Sequence, residues 1–143
     1  MKAKIPEEGW KGLLGVGTWY LVSNPNKNST GFGGKFTGGT QDSTDIWAEG
    51  SVDVNDGKWH HVVGVHDGAK VCLYVDGIPA DFESRGGNAV VYNDPVYIGG
   101  EPHSKYQWNG FIDDVRIYSY TLSAEEVKML YEGKEPPRER RSE

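Results

Sequence analysis

Two aspartate-glycine pairs between apolar runs constrain the fold more than any other feature of this sequence. Residues 59–65 and 71–75 are rich in aromatic and β-branched side chains, which suit a half-buried sheet surface. Asp67-Gly68 separates these runs, and Asp76-Gly77 stands between the second run and Ile78. An Asp-Gly pair in that position favours a type I′ hairpin turn. The pattern predicts three consecutive antiparallel strands, which need a second layer to be stable.

Length and composition favour one all-β domain. The 143 residues are enough for one two-layer core. Glycine (20 residues), tyrosine (8) and tryptophan (5) are abundant, as expected for a chain of short strands joined by tight turns.

Charge, cysteine content and hydropathy exclude some partners and some structural features. The formal net charge is −6 and the basic residues form no stripe, which disfavours nucleic acid and anionic membranes as partners. Cys72 is the single cysteine, so no internal disulfide can form. No signal peptide and no stretch long enough to cross a bilayer is recognisable, so we expect no membrane insertion.

Local patterns place the helix and divide the chain. Ser123 and Glu126 form a capping box before a helix predicted at residues 124–131, which ends at Gly133. Apolar and polar side chains largely alternate along residues 111–118, which predicts a last strand there. We expect a loose N-terminal segment at residues 1–12, a β-sandwich at residues 13–133 and a disordered charged tail at residues 134–143.

Two blocks of sequence resemble a known family. Residues 56–62, followed by residues 73–77, are similar to the signature of laminin G-like, concanavalin A-like domains, and residues 109–127 resemble their closing strand and short helix. The resemblance implies a jelly-roll β-sandwich of two antiparallel sheets. It also implies binding of carbohydrate or protein, often with calcium, without catalysis. Such domains are usually extracellular, but this sequence leaves the localisation open.

Asp113 is the candidate metal ligand. In a strand it would share one face with Phe111, Val115 and Ile117, and would then point into the core. A buried carboxylate needs a partner. Backbone amides or a core hydroxyl could satisfy it, and the resemblance to the closing strand of laminarinase-type hydrolases suggests a structural calcium ion instead. Both alternatives predict that Asp113→Ala would cost about 2 kcal/mol or more.

Aromatic side chains in loops are the candidate ligand contacts. A pyranose has apolar faces edged by hydroxyl groups, so aromatic rings beside amides suit it. Tyr106, Trp108 and Asn109 in a long polar loop, together with Trp47, fit this description. Core packing is the alternative for Trp108, and Trp59 is assigned to the core.

No catalytic constellation is recognisable. Glycosidases need two carboxylates around one bond, and the Glu-x-Asp-x-Glu strand of laminarinase-type enzymes does not occur here. His60 and His61 are adjacent on a predicted strand and point to opposite faces, so they cannot share a metal ion. We therefore expect a non-catalytic carbohydrate- or glycoprotein-binding module. The alternatives are a protein interaction module and, more remotely, a fragment related to glycoside hydrolases.

The resemblance also bears on oligomeric state. Domains of this family usually begin with one or two further strands, whereas 55 residues precede Asp56 here and contain no matching stretch. An uncovered sheet edge can recruit another chain. The expectation is a homodimer, with a monomer whose residues 2–12 partly fill the gap as the alternative.

Overall fold

The structure is a computed structural model that describes residues 10–16, 19–37, 43–84, 88–89, 95–100 and 107–137. Within these ranges the chain forms strands and one short helix, as predicted. They are, in chain order, β1 (Lys11–Val16), β2 (Trp19–Asn24), β3 (Ser29–Thr37), β4 (Ser43–Gly50), β5 (Val62–His66), β6 (Val71–Val75), β7 (Ile78–Glu83), β8 (Asn88–Ala89), β9 (Tyr97–Ile98) and α1 (Ala124–Tyr131).

The strands form two antiparallel sheets. The larger sheet has the order β4-β3-β2-β1-β9, and β8 pairs with β3 beside that path. The smaller sheet has the order β5-β6-β7. Asp76 (φ 54°) and Gly77 (φ 78°) form the turn between β6 and β7, so the predicted turn with two positive φ angles is confirmed.

The main core lies between the two sheets. Alternate residues of β6 face it, and they pack against Trp19 of β2 and Ile46 of β4. Gly64 of β5 is required here, because a Cβ atom at this position would overlap the ring of Phe32. The inward residues of β6 are Val71, Leu73 and Val75, as the alternation predicts.

The helix covers the other face of the smaller sheet. Leu122 and Val127 pack there against Cys72 and Tyr74. The capping box is confirmed, because Ser123 Oγ accepts the N–H of Glu126 and Glu126 Oε1 accepts the N–H of Ser123, both at 3.1 Å. Gly133 has a φ of 80° at the C-terminal end, as expected.

Residues 10–12 belong to the fold. Trp10 is buried together with Tyr20 and Val22 on the outer face of the larger sheet, and β1 begins at Lys11. The predicted loose segment therefore overlaps the start of the sandwich at these three positions. Residues 1–9 lie outside the described residues.

The predicted disordered tail also has an ordered beginning. Arg116 Nη1 donates to Glu135 Oε1 at 2.8 Å, Lys134 Nζ donates to Glu132 Oε2 at 3.1 Å, and Pro136 is buried. Residues 138–143 lie outside the described part of the chain.

The prediction of a last strand at residues 111–118 is wrong for this structure. The segment joins no β-ladder. It meets the fold through side chains, because Phe111 contacts Trp59 and Tyr118 packs against the buried cluster between the helix and the smaller sheet. Alternating sequence favours an extended backbone, but a strand also needs hydrogen bonds to a partner edge.

Candidate ligand-binding site

Two exposed aromatic rings lie next to each other in the structure. Trp59 precedes β5 in the sequence, and Phe111 follows β9. Trp59 is 69% exposed and Phe111 is 87% exposed. Their ring centroids are 6.5 Å apart and the ring planes are inclined by 38°. Adjacent exposed aromatic rings offer apolar area that a ligand or partner can cover. We call this pair the aromatic platform.

The short segment at residues 56–61 holds Trp59. Asp56 Oδ1 accepts the N–H of Lys58 at 3.0 Å and lies 2.8 Å from Nε2 of His60. Aspartate commonly folds back onto the amide two residues later and so starts a turn. The backbone is thereby fixed on both sides of Trp59.

Asp76 in the β6–β7 turn ties the same segment to the smaller sheet. Its Oδ2 lies 2.8 Å from Nδ1 of His60, and its Oδ1 accepts the N–H of His61 at 2.9 Å. The backbone N–H of Asp76 donates to the carbonyl oxygen of His61 at 2.8 Å. The turn therefore forms one hydrogen-bonded unit with the segment that presents Trp59. We call Asp56, His60 and Asp76 the histidine clamp.

The clamp shifts the pKa values of His60 and Asp56. Burial lowers the pKa of His60, but the hydrogen bonds with Asp56 and Asp76 outweigh it and raise the pKa overall. The hydrogen bond from His60, helped by the amide of Lys58, lowers the pKa of Asp56. Both shifts favour an imidazolium between two carboxylates.

The second histidine has a different environment. Burial lowers the pKa of His61, and its ring lies 6.2 Å from that of Tyr131, centroid to centroid. The imidazole rings of His60 and His61 therefore contact different groups. In the described ranges, no three side chains of the types His, Cys, Asp and Glu are grouped to hold a metal ion.

Trp108 anchors the loop that presents Phe111. Its backbone N–H donates to the carbonyl oxygen of Gly99 at 2.9 Å, and its indole is half-buried against the core between the sheets. A Cβ atom at Gly110 would lie 2.7 Å from Nε1 of Trp108, so only glycine allows the chain to pass so close to the ring. Phe111 leaves this anchor directly into solvent.

Of the three predicted ligand residues that the structure describes, Trp47 lies apart from Trp108 and Asn109. Trp108 packs against the core between the sheets, whereas Trp47 packs on the outer face of the larger sheet. Asn109 is exposed beside Trp108. Tyr106 lies outside the described residues. A role for these side chains in ligand binding stays a prediction.

The platform itself was missed from the sequence. The expectation that Trp59 belongs to the core is wrong, because its side chain is exposed. The missed signal is the turn before it, because three polar or glycine residues, Asp56-Gly57-Lys58, separate Trp59 from any preceding strand. Phe111 was likewise placed in a strand.

Asp113 does not point into a core. It is exposed, and its Oδ1 accepts the N–H of Asp114 at 2.8 Å. Arg116 pairs with Asp114 and Glu135 rather than with Asp113, each at 2.8 Å. The expectation of a buried carboxylate is wrong, because the residues of the predicted inner face are all exposed, namely Phe111, Asp113, Val115 and Ile117.

This exposed carboxylate is a poor fit for a structural calcium ion. Calcium takes six to eight oxygen ligands. One oxygen of Asp113 is already used locally, and among the described residues no group of three candidate ligands includes it. Chelation tests whether calcium binds at Asp113.

The comparison with known protein families identifies the class. A laminin G model, described as the concanavalin A-like lectin/glucanases superfamily, matches residues 8–128. The chain belongs to this family, and its two sheets are those of a jelly-roll sandwich. Domains of the family are typically binding or adhesion modules and are generally non-catalytic. Within the described ranges, no helix is both long and apolar enough to cross a membrane.

Two curated relatives are large proteins that contain a similar stretch. Laminin subunit alpha-3 of Homo sapiens is 50% identical over 52 residues, which are 36% of this chain and 2% of that protein. Adhesion G-protein coupled receptor V1 of Danio rerio is 34% identical over 88 residues, which are 59% of this chain and 1% of that protein. The chain thus matches only a small part of each.

A solved structure supports the fold. An S-layer domain-containing protein from Clostridium thermocellum (residues 221–444) is 19% identical to this chain, with a TM-score of 0.51. The alignment covers 92% of this chain and 67% of the other. At this identity the likeness supports the fold and carries nothing about ligands.

Proposed function

We propose that this domain is a non-catalytic carbohydrate- or glycoconjugate-binding module and that the aromatic platform is its contact surface. The observation that carries the proposal is the pair of exposed rings, Trp59 and Phe111, at 6.5 Å. Aromatic faces stack on the apolar faces of sugar rings, and nearby polar groups reach the hydroxyls. Exposed polar side chains stand close by in the sequence, because Lys58 precedes Trp59 and Asn109 lies two residues before Phe111.

The absence of catalysis is part of the proposal. Glycoside hydrolysis needs two carboxyl groups on either side of the scissile bond. Near the platform, Asp56 is engaged by Lys58 and His60, and Asp76 is engaged by His60 and His61. Carboxylates committed to structural hydrogen bonds are poor candidates for general acid and base. Family membership favours the same conclusion.

A glycan array tests the proposal. The purified domain is compared with Trp59→Ala and Phe111→Ala, in calcium and in EDTA. Loss of a stacked ring should weaken binding at least about tenfold, in line with aromatic hot spots of about 2 kcal/mol. Phe82→Ala is the matched control, because Phe82 is also exposed, at 64%, but lies on β7 away from the platform pair.

Two results would count against the platform. Binding that survives both platform substitutions unchanged would place the site elsewhere, for example at Trp47 or Asn109. A domain that binds no glycan in either buffer would remove the carbohydrate proposal. An effect of EDTA on binding would support calcium assistance, whereas equal binding in both buffers would remove it.

A protein partner is the second candidate. It is favoured by further exposed apolar side chains outside the platform, among them Ile78 and Phe82 of β7 and Ile98 of β9. Exposed apolar side chains of this kind contribute to protein interfaces where they form a contiguous patch. Binding to a purified, unglycosylated protein that competing sugars do not reduce would favour this alternative.

A further inference from the structure

The histidine clamp has an arrangement that only one protonation state of His60 satisfies fully. Nδ1 lies 2.8 Å from Asp76 Oδ2, and Nε2 lies 2.8 Å from Asp56 Oδ1. The His60 side chain is 13% exposed, compared with 35% for Asp56 and 32% for Asp76. The imidazole is thus enclosed between two carboxylates that solvent still reaches.

Imidazole chemistry decides what these distances mean. A neutral ring carries one N–H donor and one lone pair, whereas the imidazolium carries two donors. Carboxylate oxygens accept hydrogen bonds and donate none when ionised. In a neutral ring, one nitrogen would therefore place its lone pair against a carboxylate at hydrogen-bond distance. Only the protonated ring can donate to both aspartates.

The hydrogen bond between His60 and Asp76 joins two elements that are separate in sequence, whereas the one between His60 and Asp56 lies within a single segment. Asp56 belongs to the segment before β5, and Asp76 belongs to the β6–β7 turn. Trp59 lies between Asp56 and His60, so its backbone is set by the clamp. Losing one of the two bonds would loosen the base of the platform without exposing the core between the sheets.

We propose that His60 is a positioning residue whose protonation fixes Trp59 against the β6–β7 turn, so that the platform binds its sugar more tightly at mildly acidic than at mildly alkaline pH. The binding part rests on the proposed function. The positioning part does not, because it concerns the free domain.

Other charged groups near the clamp act on its neighbours. Lys58 lies beside Asp56 and helps to keep that carboxyl ionised. The charge of Asp114 raises the pKa of His61, and the charge of Arg116 lowers it. Tyr131 of α1 packs beside His61 and beside Gly77. The carboxylates that face His60 directly are Asp56 and Asp76.

The direction of the pH dependence follows from the shift. The pKa of His60 in the folded domain lies above 6.5, its ordinary value. A raised pKa means that the stabilising contribution is complete below about pH 6.5 and is lost as the pH rises through the folded-state value. Asp56 has a lowered pKa, so it stays ionised throughout this window.

The test of positioning uses the free domain and follows the imidazole of His60 by NMR between pH 5 and 9. Asp56→Asn removes one carboxylate at an exposed position, and His60→Gln retains one donor that cannot titrate. We expect a midpoint above 6.5 that falls in Asp56→Asn. The amide of His61 should lose hydrogen-exchange protection across the same pH range, relative to the helical amide of Val127, and should not do so in His60→Gln. A His60 midpoint at or below 6.5, or protection independent of pH, would overturn the proposal.

Sugar binding is then measured across the same pH range for the parent domain and His60→Gln. A decline in affinity with rising pH in the parent only would support the full proposal. Affinity independent of pH in a parent that binds sugar would overturn the link from His60 to the platform. If no sugar binds while His60 titrates as expected, the proposed function fails and the positioning role stands.

Discussion

Asp113 illustrates how the surroundings of a residue decide its role. An alternating pattern assigns it to an inner face, but that face exists only where a second layer covers it. At an exposed position a carboxylate is hydrated and needs no buried partner. In this structure its hydrogen bond to the N–H of Asp114 is a local turn contact.

Replacement of Asp113 should therefore have little effect on stability. We expect Asp113→Ala to change the free energy of unfolding by less than about 0.5 kcal/mol, as for most surface substitutions. EDTA should leave the melting temperature of the parent unchanged. Asp76→Ala is the control and should be clearly less stable, because Asp76 accepts hydrogen bonds from His60 and His61. A loss of 2 kcal/mol in Asp113→Ala, or an EDTA effect confined to the parent, would restore the buried calcium site.

Among the elements, α1 depends most directly on local sequence. Its eight residues are too few to be stable as an isolated helix in water. The helix is stabilised instead by the capping box and by the packing of Leu122 and Val127 against the smaller sheet.

Removal of the helix cap tests this dependence. Ser123→Ala deletes the acceptor for the N–H of Glu126 and should lower the free energy of unfolding by about 1 kcal/mol. Glu125→Gln, in the same exposed first turn, should cost only a few tenths of a kcal/mol through the helix dipole. Chemical denaturation of the three proteins measures both values. Equal losses of unfolding free energy in the two variants would mean that the hydrogen bond to Ser123 contributes no more than the charge of Glu125.

Elements with local signals were predictable, and elements defined by partners were not. The β6–β7 turn, the two faces of β6 and the helix all follow from residues within a few positions of one another. The segment at residues 111–118 has equally clear alternation, but pairing depends on which sheet edge is free, and that is not local information. The predictions for Trp59 and Phe111 were wrong for the same reason, because aromatic type alone does not determine whether other parts of the chain cover a ring.

At the scale of the whole molecule, the core between the sheets and the helix-covered face of the smaller sheet are buried, while some apolar side chains of the outer strands stay exposed. Ile78, Phe82 and Ile98 are exposed in addition to the platform. A net charge of −6 opposes the approach of two copies. Apolar contact and charge repulsion thus act in opposite directions on self-association.

We expect the apolar contribution to dominate and the domain to form a homodimer. Sedimentation at micromolar concentration should give a species of about twice the 15.8 kDa of one chain. Phe82→Glu should favour the monomer, whereas Lys58→Glu, which changes charge at an exposed polar position, should have a smaller effect. A single species near 15.8 kDa that persists on concentration would contradict the dimer.

The position of Cys72 makes the docking of the helix measurable as a chemical rate. The thiol lies beneath Leu122 and Val127, and burial raises its pKa. In alkylation the thiolate is the nucleophile that attacks the reagent, so burial and the raised pKa both slow the reaction. Alkylation must then wait for the helix to separate from the smaller sheet, a local opening that leaves the core between the sheets intact. The labelling rate of this one sulfur atom reports how often that layer opens in the native domain.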